Sequence, residues 1–248
     1  MAYRSLTDEE INILDDNGCW AEDWGNVSVS DDFVPQYMRR VMLYGEVAIG
    51  SFERNVEVSP GFLKHTGIYN ATLRNVSVGD DCLIENIGNY INNYTIGNNC
   101  YISNVSTMET TEGATFGQGN LISVLNEVGD GNVVLFDGLN SQIAALMVKH
   151  NRDREFWAAM RRLIGENIKA TSPDRGTLGD GVKIVNAKEI TNTVIGNECE
   201  IDGAARLSDV TILSSPEATV YIGTGVICEN SIISHGSSLI NSVKMQDC

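Results

Sequence analysis

Apolar side chains return at every sixth position in the segment that begins at Val78. The hexads VGDDCL, IENIGN, YINNYT, IGNNCY and ISNVST start with Val78, Ile84, Tyr90, Ile96 and Ile102. Their fifth positions are mostly small, holding Cys82, Gly88, Tyr94, Cys100 and Ser106. Gly, Asn and Asp fill many of the other positions. This period predicts short strands joined by tight corners, because an amphipathic helix repeats its apolar residues at intervals of three and four.

The same frame returns downstream, in hexads that start at Leu178, Ile184, Ile195, Ile201, Leu207 and Ile222, with Ile240 later in frame. Cys82 and Cys100 hold the same hexad position, separated by three hexads. Three hexads therefore predict one coil of three strands, and successive coils stack at about 4.8 Å. The aliphatic and small positions point inward, while Gly and Asn occupy corners, where they adopt a positive φ at little cost. The cysteines then pack as small hydrophobic residues, with Cys82 stacked on Cys100.

This spacing resembles the hexapeptide repeat of left-handed parallel β-helix proteins, which are chiefly acyltransferases and γ-class carbonic anhydrases. The repeat is clear over 78–107, 178–213 and 222–245 and weaker over 46–77 and 114–136. The resemblance implies an all-β fold, a left-handed parallel β-helix with triangular coils. The left-handed connections between parallel strands would be an exception to the general rule that such connections are right-handed. The whole chain is also similar to long, uncharacterised hexapeptide-repeat proteins that carry a domain of unknown function.

Two segments depart from the repeat. Thr7 and Glu10 form a capping box, which predicts a helix with Ile11 and Leu14 on one face. Such a helix would cover the open end of the coils. We therefore divide the chain into an N-terminal helical cap over 1–45, coils over 46–138, a helical insertion over 139–172 and coils over 173–248. The last segment ends inside repeat-like sequence, which predicts a fragment of a longer protein.

The insertion has no hexad frame, and its apolar residues follow helical spacing, with Phe156, Met160, Leu163, Ile164 and Ile168 on one face. A break near Asn151 predicts two helices. From Lys149 to Arg175 there are seven basic against four acidic residues, a net charge of +3. This charge predicts a binding site for the phosphates of coenzyme A or a nucleotide sugar, formed by Lys149, Arg152, Arg161 and Arg162. The alternative is a solvated helix face with intrahelical ion pairs.

The overall charge limits the partners. The chain of 248 residues carries 33 acidic and 17 basic side chains, a net charge of -16. This charge argues against general binding of nucleic acid or an anionic membrane. No apolar run is long enough to cross a membrane and the N-terminus has no secretory pattern, so we expect a cytoplasmic protein with reduced cysteines.

A histidine is the general base that the resemblance implies, because it would take the proton of an acceptor hydroxyl or amine that attacks a thioester. His235 lies within a clear repeat and is the first candidate for the catalytic base, and His65, in a weak repeat, is the second. His150 lies on the insertion. The three histidines are widely separated in the sequence, unlike the clustered ligands of a γ-carbonic anhydrase, so we predict no metal.

Two functions remain open at this point. The first is an acyltransferase-like enzyme that uses acetyl-coenzyme A or another acyl-coenzyme A and a sugar or amino-sugar acceptor. The second is a non-catalytic scaffold or oligomerisation module, part of a larger nucleotidyltransferase-like protein. The resemblance also implies a homotrimer, because active sites of the family lie between neighbouring prisms.

Overall fold

The protein is built mainly of β-strands. A computed structural model describes residues 3–123 and 131–248. The α-helices of these residues are α1 (Asp8–Asp16), α2 (Ser141–Lys149) and α3 (Arg154–Thr171), and two 3-10 helices span Trp24–Asn26 and Pro35–Tyr37. The strands of these residues are β1 (Tyr3–Ser5), β2 (Trp20–Ala21), β3 (Val27–Ser30), β4 (Met38–Ile49), β5 (Asn55–Ser59), β6 (Phe62–His65), β7 (Gly67–Val78), β8 (Leu83–Glu85), β9 (Tyr90–Ile96), β10 (Tyr101–Ser103), β11 (Thr107–Glu109), β12 (Leu121–Ser123), β13 (Asn132–Val134), β14 (Gly176–Leu178), β15 (Lys183–Val185), β16 (Glu189–Ile195), β17 (Glu200–Asp202), β18 (Arg206–Ile212), β19 (Tyr221–Ile222), β20 (Ile227–Ile233), β21 (Ser238–Leu239) and β22 (Lys244–Gln246).

Eighteen strands of the described residues belong to one large sheet, and its pairings are parallel apart from β1 with β3. Residues that lie opposite each other on neighbouring strands are typically about one coil apart in the sequence. Ile84 is opposite Ile102, and Ile184 is opposite Ile201. A parallel pair needs a long crossover, and here two further strands supply it. The all-β architecture with a large parallel sheet is therefore confirmed.

The core consists of three rows of apolar side chains, one from each strand position of the coil. The first row contains Ile68, Ile84, Ile102, Ile184, Ile201, Ile222 and Leu239. The second contains Leu43, Leu73, Ile91, Met108, Ile190, Leu207, Cys228 and Met245. The third contains Ile49, Val78, Ile96, Leu178, Ile195, Ile212 and Ile233. All except Met245 are buried, which confirms the inward-facing aliphatic positions.

Asparagines stabilise the corners between strands. Asn75 and Asn93 have φ of 51° and 55°, in the left-handed region that asparagine tolerates. The Nδ2 of Asn75 donates to the Oδ1 of Asn93 at 3.2 Å, and the Nδ2 of Asn93 donates to the carbonyl of Thr110 at 2.9 Å. Each side chain therefore satisfies polar groups of the next coil, so the polar composition of the hexads also stabilises the stack.

Four of the predicted inward residues face solvent instead: Gly88 and Ser106 at fifth positions, and Tyr90 and Ile240 at leading positions. Tyr90 is 38% exposed and Ile240 is 47% exposed. Their neighbours Ile91 and Leu239 occupy the inward positions. The intervals between inward residues vary by one around six. Because strand side chains alternate between faces, such a slip exposes one residue and buries its neighbour.

The predicted cap over 1–45 contains more than a helix. Helix α1 begins after Thr7, and the reciprocal hydrogen bonds of Thr7 and Glu10 form the predicted capping box. Strand β3, however, already pairs in parallel with β4, with Val29 opposite Ile49. The sheet therefore begins within the segment that we predicted as a cap.

Both weak repeats include antiparallel hairpins rather than only coils. The first hairpin joins β5 and β6, and the second joins β12 and β13. Residues 124–130, which belong to the second predicted weak repeat, lie outside the described residues. Pro60 and Gly61 are turn residues that lie between two segments of alternating apolar and polar residues. This pattern predicts a hairpin, whereas the hexad frame predicts a coil over the same residues.

The predicted helical insertion is confirmed, with helices that end at Lys149 and resume at Arg154. It has its own apolar core, formed by Val133, Phe136, Met147 and Ile164. The chain reaches this core along one corner of the stack, where the Thr115 amide donates to Asp209 at 3.1 Å. The insertion is thus anchored to coils that follow it in sequence.

Five cysteines are buried, including Cys82 and Cys100 as the hexad frame predicted, whereas Cys248 is exposed. The neighbouring Cys100 thiol and burial together raise the pKa of Cys82. Burial raises the pKa of Cys199 and of Cys228 to about 12. Since the thiolate is the reactive form, these groups are unreactive at neutral pH.

We therefore expect iodoacetamide to modify Cys248 first in the native protein, and all six cysteines after denaturation. Mass spectrometry of peptides from samples taken over time measures this order. Rapid modification of Cys82 or Cys199 under native conditions would contradict the buried stack.

Candidate functional site

The hairpin β5–β6 carries Lys64 and His65. It lies over the outer face of the sheet, on the side of the strands that supply the first row of buried residues. It leaves the stack between β4 and β7, and the amide and hydroxyl of Thr66 both donate to the Arg54 carbonyl at 2.9 Å, which closes its base. Beside this closure, Lys64 forms an ion pair with Glu85 of β8. The hairpin is therefore fixed to the sheet at the position of His65.

The imidazole of His65 is held by two contacts. Its ring stacks on Tyr37, with centroids 3.7 Å apart and planes 10° from parallel. Its Nδ1 lies 2.9 Å from the Thr66 carbonyl oxygen. A carbonyl oxygen only accepts, so Nδ1 carries the proton. In the neutral ring, Nε2 is then the unprotonated nitrogen and can act as a base.

The carboxylate that pairs with Lys64 is buried. Glu85 is only 7% exposed. Besides Lys64, the hydroxyl of Ser103 donates to it at 3.2 Å and that of Tyr101 at 3.4 Å. Burial of a carboxylate requires such partners, because an isolated charge in a protein interior is costly. Glu85 therefore organises this face by fixing Lys64.

A cleft with two arginines continues the same face. Arg39 lies opposite Tyr69, and Tyr69 lies opposite Glu85. A cleft of about 570 Å³ is lined by Arg39, Arg40 and Tyr69, together with Asp16, Asn17, Gly18 and Asn70. In the described part of the chain, neither arginine forms an ion pair. Two such guanidinium groups are suited to phosphate, because their planar donors match its oxygens.

Burial raises the pKa of Tyr69, and the charge of Arg39 opposes that effect. Tyr69 therefore stays protonated at neutral pH and can donate a hydrogen bond into the cleft. We name the set His65, Tyr37, Tyr69, Arg39 and Arg40 the hairpin site.

The other predicted catalytic histidine lies elsewhere. His235 is exposed in the turn between β20 and β21. His150 follows α2, with its ring 5.0 Å from that of Phe156. Each of the three histidines therefore lies on a different element.

The predicted phosphate-binding residues are on the insertion, outside the hairpin site. Lys149 is in the last turn of α2, and the Arg161 guanidinium lies 5.5 Å from the centre of the Trp157 ring. Arg162 follows on α3, and Arg152 lies between the helices. The structure therefore gives two candidate sites for an anion. The arginine cleft is linked to His65 through Tyr69, whose hydroxyl lies near the Tyr37 backbone, and Tyr37 stacks on His65.

Sequence reasoning found His65 but missed its surroundings. Tyr37 ends a 3-10 helix and Arg39 belongs to β4, both of which precede the hairpin, whereas Glu85 belongs to β8, which follows it. The alternation in NVEVS and FLKH around Pro60 and Gly61 was a signal for the hairpin. No local pattern indicated that the hairpin would fold over β8.

Two further observations concern ligands and membranes. Among residues 3–123 and 131–248, no three His, Cys, Asp or Glu side chains are grouped so that they could hold a metal ion. Across the same residues, no helix combines the length and hydropathy needed to cross a membrane.

Comparison with known proteins places the chain in a family. It is 31% identical over 249 residues to an uncharacterised protein of Treponema pallidum (strain Nichols), an alignment that covers 95% of this chain. The chain spans only 34% of the length of that relative. The family described as Domain of unknown function (DUF4954) matches residues 3–248. The chain therefore belongs to the DUF4954 family.

Proposed function

We propose that the protein is an acyltransferase-like enzyme of the hexapeptide-repeat type, with the hairpin site as its catalytic centre. One observation carries this proposal: His65 is fixed by Tyr37 and by the Thr66 carbonyl so that Nε2 is free to accept a proton. A positioned base of this kind is worth about 10²–10⁴ in rate. The structure favours His65 over the exposed His235, which the sequence had ranked first.

The proposed chemistry is acyl transfer from an acyl-coenzyme A, such as acetyl-coenzyme A, to a sugar or amino-sugar. Nε2 of His65 takes the proton of the acceptor hydroxyl or amine. The acceptor oxygen or nitrogen bonds to the thioester carbonyl carbon, and the carbon–sulfur bond then breaks. The imidazolium returns its proton to the departing thiolate. Arg39 and Arg40 would bind the phosphates of the donor.

The same proposal includes the finer details of the fold. We propose that the coils wind with a left hand, as in hexapeptide-repeat proteins. The three apolar rows and the corners with positive φ support a triangular, single-chain coil. Trimerisation and a cytoplasmic location remain proposals that rest on the resemblance and the composition. A crystal structure would determine the hand, and mass measurement in solution would determine the oligomeric state.

A second candidate function is a non-catalytic scaffold within a longer protein. The observation that favours it is the chain's coverage of only 34% of its Treponema relative. A stack of coils is also a stable module in its own right, because each coil contacts its neighbours. In that case the hairpin site would stabilise the fold and bind no donor.

Calorimetric titration with acetyl-coenzyme A tests the proposed function. We expect the unchanged protein to bind, and an Arg39→Ala/Arg40→Ala variant to bind at least about tenfold more weakly, because each charge-assisted hydrogen bond contributes about 1.5–3 kcal/mol. The matched control is Lys149→Ala/Arg162→Ala, two basic residues of the insertion. A loss confined to this control would move the donor site to the insertion. Absence of binding by every form would support the scaffold.

A further inference from the structure

A second cleft lies on the outer face of the second row, on a different face from the hairpin site. It encloses about 550 Å³, and Tyr44, Arg74, Asn92 and Glu109 line it from four successive parallel strands. Three strand spacings of about 4.8 Å make it roughly 14 Å long. Its size and length suit an elongated small ligand rather than a single ion.

Aromatic rings provide flat apolar surfaces at this cleft. Tyr90 is 38% exposed and lines the cleft on β9. Trp20 is 48% exposed, and its ring meets that of Tyr44 edge-on, with centroids 5.3 Å apart. Rings that are exposed in this way on a sheet face are available for stacking against a ligand.

The cleft carries charged side chains of both signs. Glu22 and Glu109 both line it and would repel an anion. Arg74 lines it as well, and among the described residues it forms no ion pair, so it would repel a cation. A neutral ligand rich in hydroxyl groups is compatible with both kinds of charged side chain, because a hydroxyl can donate to the carboxylates and accept from the guanidinium.

One residue that lines the cleft has a side-chain atom without a hydrogen-bond partner in the part of the chain that the structure describes. The Oδ1 of Asn92 is buried, and no group of the described residues donates to it. A buried acceptor without a donor is unfavourable in the free protein, by an amount comparable to a lost hydrogen bond. Rotation of the Asn92 amide toward the cleft would bring this oxygen to a ligand hydroxyl and remove the deficit on binding.

We infer that this cleft binds a neutral saccharide, with the Tyr90 ring against the apolar face of a sugar and the Asn92 side-chain carbonyl accepting a sugar hydroxyl. The site is separate from the hairpin site. Saccharide binding here should therefore survive the substitution His65→Ala, and failure of either proposal leaves the other intact.

The test is titration by isothermal calorimetry and by tryptophan fluorescence with cellotriose, maltotriose, xylotriose and N-acetylated chitotriose. Trigalacturonate and the deacetylated chitosan trimer serve as anionic and cationic comparisons. We expect at least one neutral trisaccharide to bind and both charged trimers to bind at least tenfold more weakly. Tyr90→Ala should lower the affinity by about tenfold. Tyr221→Ala, an exposed tyrosine of the first row's outer face, should leave it unchanged.

Asn92→Leu separates a ligand site from a merely structural role. Because Oδ1 has no partner in the free protein, this variant should keep its thermal unfolding midpoint or raise it, while its saccharide affinity falls at least fivefold. The inference is overturned if no neutral trisaccharide binds, if a charged trimer binds best, or if Asn92→Leu destabilises the protein without changing its affinity.

Discussion

Gly176→Ala is expected to lower the free energy of unfolding by about 3 kcal/mol, the upper end of the usual range for overpacking. Strand β14 crosses directly over the ring of Tyr94, which is fully buried in the core. A Cβ on Gly176 would lie on the Tyr94 ring and against the Thr110 hydroxyl. All of these groups are enclosed, so the neighbours have little room to move.

The complementary change, Tyr94→Ala, should cost about 3–5 kcal/mol, since it removes a large buried ring. It also removes the hydroxyl that donates to the Thr193 carbonyl at 3.1 Å and accepts from the Thr193 amide at 3.3 Å. Burial raises the pKa of this hydroxyl, so it remains a donor over the working range of pH. In the double variant the two effects should be less than additive, because the alanine at 176 would occupy part of the vacated space.

Denaturant unfolding followed by circular dichroism measures these changes. The matched control is Gly165→Ala, a glycine inside α3 whose added Cβ would meet open space. It should raise the stability by about 0.5–1 kcal/mol through helix propensity. Equal effects of the two glycine substitutions would contradict the packing of Gly176 on Tyr94.

His65→Ala is expected to lower the rate of acyl transfer by about 10²–10⁴, with little change in acetyl-coenzyme A affinity. The reason is that the proposed donor site uses Arg39 and Arg40, whereas His65 acts on the acceptor proton. Turnover is measured by release of coenzyme A thiol in the presence of an amino-sugar acceptor. His150→Ala, a partly exposed histidine of the insertion, is the matched control and should keep full activity.

A second readout for His65 does not depend on activity. Nitrogen-15 NMR of the imidazole should show the proton on Nδ1 in the neutral form, since that atom donates to Thr66. Tyr37→Leu removes the stacked ring and should broaden this signal and lower turnover less than His65→Ala does. A proton on Nε2, or loss of turnover in His235→Ala rather than His65→Ala, would overturn the assignment.

The periodic part of the fold was predictable because it depends on neighbouring residues in sequence. Apart from Tyr90, the leading residues of the hexads near Val78 and Ile195 are buried, and the corner asparagines have positive φ. A strand of a few residues and a corner that tolerates asparagine are local preferences, and repetition makes them visible. Shifts of the inward position by one residue, as from Tyr90 to Ile91, were not predictable, because they leave the composition of the hexad unchanged.

The helices were predictable for the same reason. The capping box at Thr7 and the spacing of Phe156 and Ile164 are local patterns that the structure confirms. The two hairpins were not predicted, because their residues were assigned to weak repeats of the six-residue period.

The amino-acid sequence by itself therefore determined the repeating strands, the buried aliphatic rows and the helical insertion. Only the tertiary structure decided which side chains meet at a candidate site. Arg39, His65 and Glu85 come from three separate strands, and stacking of the coils and folding of the hairpin bring them to one face. Contacts between residues so far apart in sequence depend on how whole elements pack, which no local pattern records.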